Sequence, residues 1–297
     1  MVKGYFRIGD IPIYIEASEN LVYPQNLENF RIDEKKEDAD SNTKCRYGIH
    51  MEEDFTSRVE YLKALRTGPV YKREDLTVFQ TTTGECRLMN FKGTDGWYAA
   101  SLQRENDKNE IWFSRQIQNK LSLDTIFWAP FCLERLMIER DGVILHSAYM
   151  ERNGEAILFS APSGTGKSTQ AFLWEKYRHT RTINGDRTLL QKKDGIWHAY
   201  GWPICGSSEI CINESFAIRA IVMLRQAKTN QIRRLYGFEA VRGVLSQLMV
   251  NGWSHTFQEK AFECLNEILE EIPVYLLSCN ISEQAVECLE NVLKNEA

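Results

Sequence analysis

The chain has 297 residues, 43% of them apolar and 26% charged, with a net charge of -5 and an isoelectric point near 5.7. That length buries a full core in one large domain or two small ones, and the acidic balance gives no broad cationic field, so neither nucleic acid nor a membrane surface is an expected principal partner. The eight cysteines contain no C-x-x-C pair, which speaks against zinc or redox spacing and for reduced thiols.

Met1 to Tyr5 carries no apolar signal core, and no run approaches the roughly eighteen residues that span a bilayer, so the expected compartment is the cytoplasm. Residues 1–120 read as strands and turns. Ile11-Pro12-Ile13-Tyr14-Ile15, Leu76 to Phe79 and Glu85 to Met89 come first. Turns at Thr94-Asp95-Gly96 and Asn106 to Asn109 then set off Trp97 to Ala100 and Ile111 to Phe113, as in an antiparallel meander. The charged stretch Asp33 to Asp54 is expected to be an exposed excursion.

From about Leu121 the pattern changes, and a second domain is expected over 121–297. Ile126 to Ile138 reads as one buried helix. Val143 to His146 and Ala148 to Met150 lead into Asn153-Gly154, the strongest two-residue hairpin signal, and return as the apolar run Glu155 to Ser160. Thr180 to Asn184, Trp197 to Tyr200, Ala217 to Leu224 and Pro273 to Leu277 read as strands. Residues 240–248, 257–268 and 285–293 carry apolar positions at helical spacing, the last behind Ser282 as a cap.

Between the run ending at Ser160 and a helical stretch, Thr169 to Tyr177, lies Ala161-Pro162-Ser163-Gly164-Thr165-Gly166-Lys167-Ser168. A strand, a glycine loop and a helix in that order form a phosphate cradle. The loop amides make an anion nest, Lys167 reaches the β- and γ-phosphates, and the Ser168 hydroxyl holds Mg²⁺. The nucleotide-binding set is therefore Ser163, Gly164, Thr165, Gly166, Lys167, Ser168 and Thr169. The pattern asks for glycine at 161, where this chain has alanine. Alanine is strained there if φ is positive and costs nothing if φ is negative.

Phosphoryl transfer also needs a carboxylate, and Asp186, just past the next expected strand, is the candidate. Arg187 and Arg219 are candidates for neutralising charge on the transferred group, His146 for touching phosphate or metal, and Ser207 and Ser208 for holding an acceptor.

Taken together, the loop, Ile183-Asn184-Gly185-Asp186, Asp194 to Trp197, the Gly206-Ser207-Ser208 turn and the upstream Leu145 to Ala148 pair resemble the catalytic domain shared by HPr kinase/phosphorylase and ATP-dependent phosphoenolpyruvate carboxykinase. The resemblance covers roughly residues 140 to 295. It implies an α/β P-loop domain with a mixed sheet and flanking helices, preceded here by a mostly antiparallel β-rich region.

For function, the resemblance implies an ATP-dependent kinase using Mg²⁺ or Mn²⁺, with Asp186 as metal ligand or general base, a hydroxyl-bearing peptide, protein or small molecule as acceptor, and a homo-oligomer. The family carries paired aspartates where this chain has Gly185-Asp186-Arg187. The expected catalytic set is Asp186, Lys167 and Arg219, with Ser168 and Asp186 on the metal. The competing readings are an ATP-binding regulator without transfer, and a scaffold that binds no nucleotide.

Overall fold

Ile11, Ile13, Ile15 and Ala17 are buried while the residues between them are not, the period of two that makes a strand with one face inward. A computed structural model describes residues 2–33, 45–64, 68–91, 96–105 and 107–295. The chain forms two compact units, Met1–Leu133 and Glu134–Ala297, so the division expected at 120/121 falls further along.

In the first unit β1 (Lys3–Ile8), β2 (Ile11–Ala17), β3 (Arg31–Ile32), β4 (Cys45–Glu52), β5 (Tyr71–Lys72), β6 (Leu76–Thr81), β7 (Gly84–Asn90), β8 (Trp97–Gln103) and β9 (Lys108–Ser114) form one sheet, in the order β3-β1-β2-β4-β9-β8-β7-β6-β5. The meander holds from β5 to β9, but β4 pairs with both β2 and β9 in parallel, so the sheet is mixed. Of the expected excursion, residues 34–44 lie outside the described residues, as do Thr94, Asp95 and Asn106 of the expected turns. Residues 45–52 are an interior strand, a correction: Cys45, Tyr47 and Ile49 are its buried alternate positions, hidden in the sequence by the charges around them. The missed helix α1 (Phe55–Ala64) packs Phe55, Val59 and Leu62 on Phe79, Leu88 and Leu102.

The single helix expected over Ile126–Ile138 is broken. α2 (Asp124–Trp128) gives way to a 3-10 turn at Ala129–Phe131, Cys132 turns left-handed at φ 52°, and α3 (Leu133–Ile138) follows. Pro130 is the cause, because its ring clashes with the preceding turn and it has no N–H to donate. Phe127, Trp128 and Phe131 pack on one another at edge-on and tilted angles, and within the first unit Phe127 and Phe131 reach Phe113 and Tyr47.

The second unit opens with β10 (Val143–Arg152) and β11 (Glu155–Ser160), joined by Asn153-Gly154 at φ 53° and 80°, as a primed hairpin turn requires. Then come α4 (Lys167–Arg178), β12 (Arg181–Asn184), β13 (Arg187–Lys193), β14 (Ile196–Tyr200), β15 (Ser215–Gln226), β16 (Gln231–Arg234), α5 (Gly237–Leu245), α6 (His255–Glu271), β17 (Val274–Cys279) and α7 (Glu283–Asn295). Strands β10, β11, β15, β14 and β13 pair in a closed ring, and β17 and β16 extend it from β15. This is a mixed α/β unit with helices on two faces.

Residues Ala220, Val222 and Leu224 of β15 join the core under α4 and α7, while Ile221 and Met223 join the core under α5 and α6. A strand buried on both faces reads as the continuous apolar run seen in the sequence. Strands β11, β15 and β17 are mutually parallel, so Ser160, Gln226 and Cys279 end at one side of the sheet, where ligands gather in open α/β folds.

Candidate functional site

The loop leaves β11 at that side. Ala161 is fully buried with a negative φ, so alanine is unstrained and its methyl belongs to the core shared with Ala171 and Trp174. Glycine is required further on: Gly164 sits at φ 77° and Gly166 at φ 116°, left-handed values that make the concave amide path of an anion nest. The Gly166 carbonyl accepts the Gln170 N–H at 2.9 Å and starts α4. Ser163, Gly164 and Ser168 are exposed, whereas Lys167 is only 7% exposed.

The Lys167 ammonium donates to the Ala161 carbonyl at 3.0 Å, folded over its own loop. Burial pushes it below its ordinary value, and the Asp186 charge opposes that shift. The Ser168 hydroxyl donates to the Gly185 carbonyl at 3.3 Å, which sets it beside Asp186. Thr169 lies half-buried in the first turn of α4. On the far flank Gln226 donates to the Gly164 and Thr165 carbonyls at 3.4 and 3.3 Å.

Asp186 stands where the strand line alongside β10 is interrupted. Strands β12 and β13 both pair with β10, and Gly185-Asp186 is the break between them. Asn184 builds that break: fully buried, it accepts the Asp186 and Arg187 N–H groups at 2.9 and 3.0 Å and donates to the Trp202 and Ile204 carbonyls at 2.6 and 3.3 Å. Close packing fixes it further. A Cβ on Gly185 would meet the Ser208 Oγ at 1.9 Å, and one on Gly206 the Asp186 Cβ at 3.1 Å.

Three basic side chains face the Asp186 carboxylate. His146 Nε2 is 3.5 Å from Oδ1, Arg187 Nε is 3.5 Å from Oδ2, and Lys167 acts through its charge. The His146 ring, then the charges of Arg187, His146 and Lys167, hold the carboxyl below the ordinary range although burial works the other way. His146 Nδ1 also lies 3.3 Å from Gln247 Oε1.

The structure thus brings together Lys167, Ser168, Asp186, His146 and Arg187, and leaves Arg219 out. Ala156 pairs with Ile218 and Ile157 with Ala220, so Arg219 is the extra residue of a bulge near the start of β15. It donates to the Leu293 carbonyl at 3.0 Å and lies 4.0 Å from Glu155. Met223, the partner of Ser160, is four residues on, so Arg219 sits on the order of 10 Å down the strand from the loop. Ser208 packs on Gly185 with its hydroxyl bound to the Cys205 carbonyl at 2.7 Å, and the Ser207 side chain lies outside the described residues.

Sequence reasoning missed Asn184 and Gln226. Asn-Gly-Asp is an Asx-turn signal that points to Asn184, whereas nothing local to Gln226 marks it. None of the eight cysteines forms a disulfide among the described residues, and burial lifts Cys264 and Cys279 to about 11. Among the described residues no helix is long and apolar enough to cross a membrane.

The family model described as "SynChlorMet cassette protein ScmC" matches residues 113–294, more than half of the chain. The chain belongs to the ScmC family. The ScmC match takes in nearly all of the second unit, including every residue of the site. Among solved structures the chain is similar to the Hpr(Ser) kinase/phosphatase from Coxiella burnetii, at 10% identity and a TM-score of 0.33, over 52% of this chain and 99% of that one. No curated protein matches the sequence. The function is therefore argued from the site itself.

Proposed function

We propose that the second unit binds ATP in the 161–168 loop and transfers its γ-phosphoryl group to a hydroxyl, with a serine of a peptide or small protein as acceptor. The observation that carries this is the convergence of a buried ammonium, an exposed hydroxyl and an ionised carboxylate on one glycine loop. The loop amides and Lys167 would align the triphosphate and neutralise it. The acceptor oxygen would form a bond to the γ-phosphorus as the bridge to the β-phosphate breaks, with the acceptor proton passing to the Asp186 carboxylate and ADP leaving.

Ser168 and Asp186 offer only hard oxygen donors, set next to each other through Gly185, a donor set that fits Mg²⁺ or Mn²⁺. These two residues would hold the ion, which when bound neutralises the phosphate oxygens.

One observation favours a second reading, an ATP-binding regulator: the carboxylate is already faced by His146 and Arg187. Incubation with γ-labelled ATP and hydroxyl-bearing peptides separates the two. Label in the acceptor, abolished in Lys167→Ala and Asp186→Asn, supports the kinase; tight ATP binding with no acceptor labelled supports the regulator. Absence of ATP binding by calorimetry ends both.

A further inference from the structure

Arg187 is placed unlike Arg152, Arg178 and Arg181, which close on their carboxylates. Arg152 and Arg178 reach Glu290 at 2.6 and 2.7 Å, and Arg181 takes Glu214 with two nitrogens. Arg187 has Asp186 as its sequence neighbour and does not close on it. Its Nε stays 3.5 Å away, buried and without a hydrogen-bond partner. A buried donor left without a partner is destabilising, and a bound anion removes that penalty.

The position is fixed from two sides. The Arg187 N–H is held by Asn184 Oδ1, and Arg187 lies directly across from His146 in the β10–β13 pairing, which puts both side chains on one face. His146 and Arg187 therefore flank Asp186 together.

The carboxylate count is the second observation. Among the described residues no group of three or more His, Cys, Asp or Glu side chains is placed to hold a metal ion. The contacts at the loop bring in one carboxylate, Asp186, against the cations Lys167 and Arg187. One carboxylate and one hydroxyl suit one divalent cation that keeps most of its waters and phosphate ligands.

We infer that this site works with a single divalent cation, and that the Arg187 guanidinium supplies the second positive charge by binding oxygens of the transferred phosphoryl group. The inference rests on the nucleotide reading above. Arg187 has the chemistry for this role, because its planar fork of donors is always charged and matches phosphate oxygens. Charge placed where it develops in transfer lowers the barrier.

The test uses the full chain with Mn²⁺ and the non-hydrolysable β,γ-imido analogue of ATP. Electron paramagnetic resonance of bound Mn²⁺ should give one ion per chain at saturating metal. In the labelled-ATP assay Arg187→Ala should lower kcat by about 10²–10³-fold with KM for ATP changed only a few-fold, and added guanidinium should restore part of the loss. Arg187→Lys, which keeps the charge but not the fork, should fall between. Two Mn²⁺ per chain, or an unchanged kcat in a folded Arg187→Ala, overturns the inference and leaves the nucleotide reading standing. An analogue that does not bind the wild-type chain overturns both.

Discussion

Two carboxylates in the second unit are each surrounded by three basic side chains, and they are held in opposite ways. Glu290 on α7 is held by Arg152 at 2.6 Å, Arg178 at 2.7 Å and Lys294 at 3.3 Å, with its own side chain 11% exposed. Asp186 has His146 and Arg187 at 3.5 Å and Lys167 turned away to a carbonyl. Burial works against the ionised form of Glu290, and the hydrogen bonds from Arg178 and Lys294 reverse that, so both carboxyls end below the ordinary range. Charge state alone does not separate them. Closure does: around Glu290 the cations spend their donors on one another's partner, whereas around Asp186 the donors are kept at a distance from which a ligand can claim them.

The sharpest way to break this contrast is to neutralise each carboxylate without changing its shape. Asp186→Asn should lower phosphoryl transfer by about 10²–10⁴-fold, the range for loss of a general base. Its unfolding midpoint in urea should barely move, because no close ion pair is lost. A large drop in stability would put Asp186 in the same class as Glu290.

Glu290→Gln should do the reverse. Removing one partner of a buried pair costs about 3–5 kcal/mol, and here the lower figure of about 3 kcal/mol applies because Lys294 reaches solvent. Urea unfolding reads that loss, and calorimetry should find ATP affinity unchanged. Loss of nucleotide binding in a folded Glu290→Gln protein would erase the distinction.

Acid refines the contrast by its sign. The folded Glu290 carboxyl titrates below the unfolded value of about 4.3. Its stabilisation is therefore complete above that pH and is lost as pH falls through the folded value. Stability measured from pH 6 down to pH 3 should fall less steeply in Glu290→Gln than in the wild type, and equal slopes would refute the assignment.

The smallest effect belongs to Ala161→Gly. The substitution restores the usual loop pattern yet removes a buried methyl and frees the unfolded chain, so it should destabilise by about 1 kcal/mol. Nucleotide affinity should stay within a few-fold. A large gain in affinity would show that alanine deforms the cradle.

Much of the loop end was legible because its signals are local. Gly164, Gly166 and Asn153-Gly154 demand left-handed backbone, and the apolar run before Lys167 is a strand entering a loop. Other features depend on distant partners. Whether an arginine on β15 lies at the loop or at the far end depends on where the strand starts and bulges, and the bulge puts Arg219 near the far end. Strand β13 was overlooked because Lys192 and Lys193 end it, though Leu189 and Leu190 are buried. Pro130 sits in plain view in the sequence, and its missing N–H outweighs the apolar periodicity over Ile126–Ile138.

The seat of Gly185 against Ser208 has a mechanical outcome. With no room for even a methyl between them, the 206–208 turn is packed directly on the backbone bearing Asp186. A molecule that wedges under that turn drags the carboxylate out of line with the loop. On the kinase reading proposed above, a guest that leaves the turn seated would keep the alignment, and bulk alone, without any specific bond, would sort one acceptor from another.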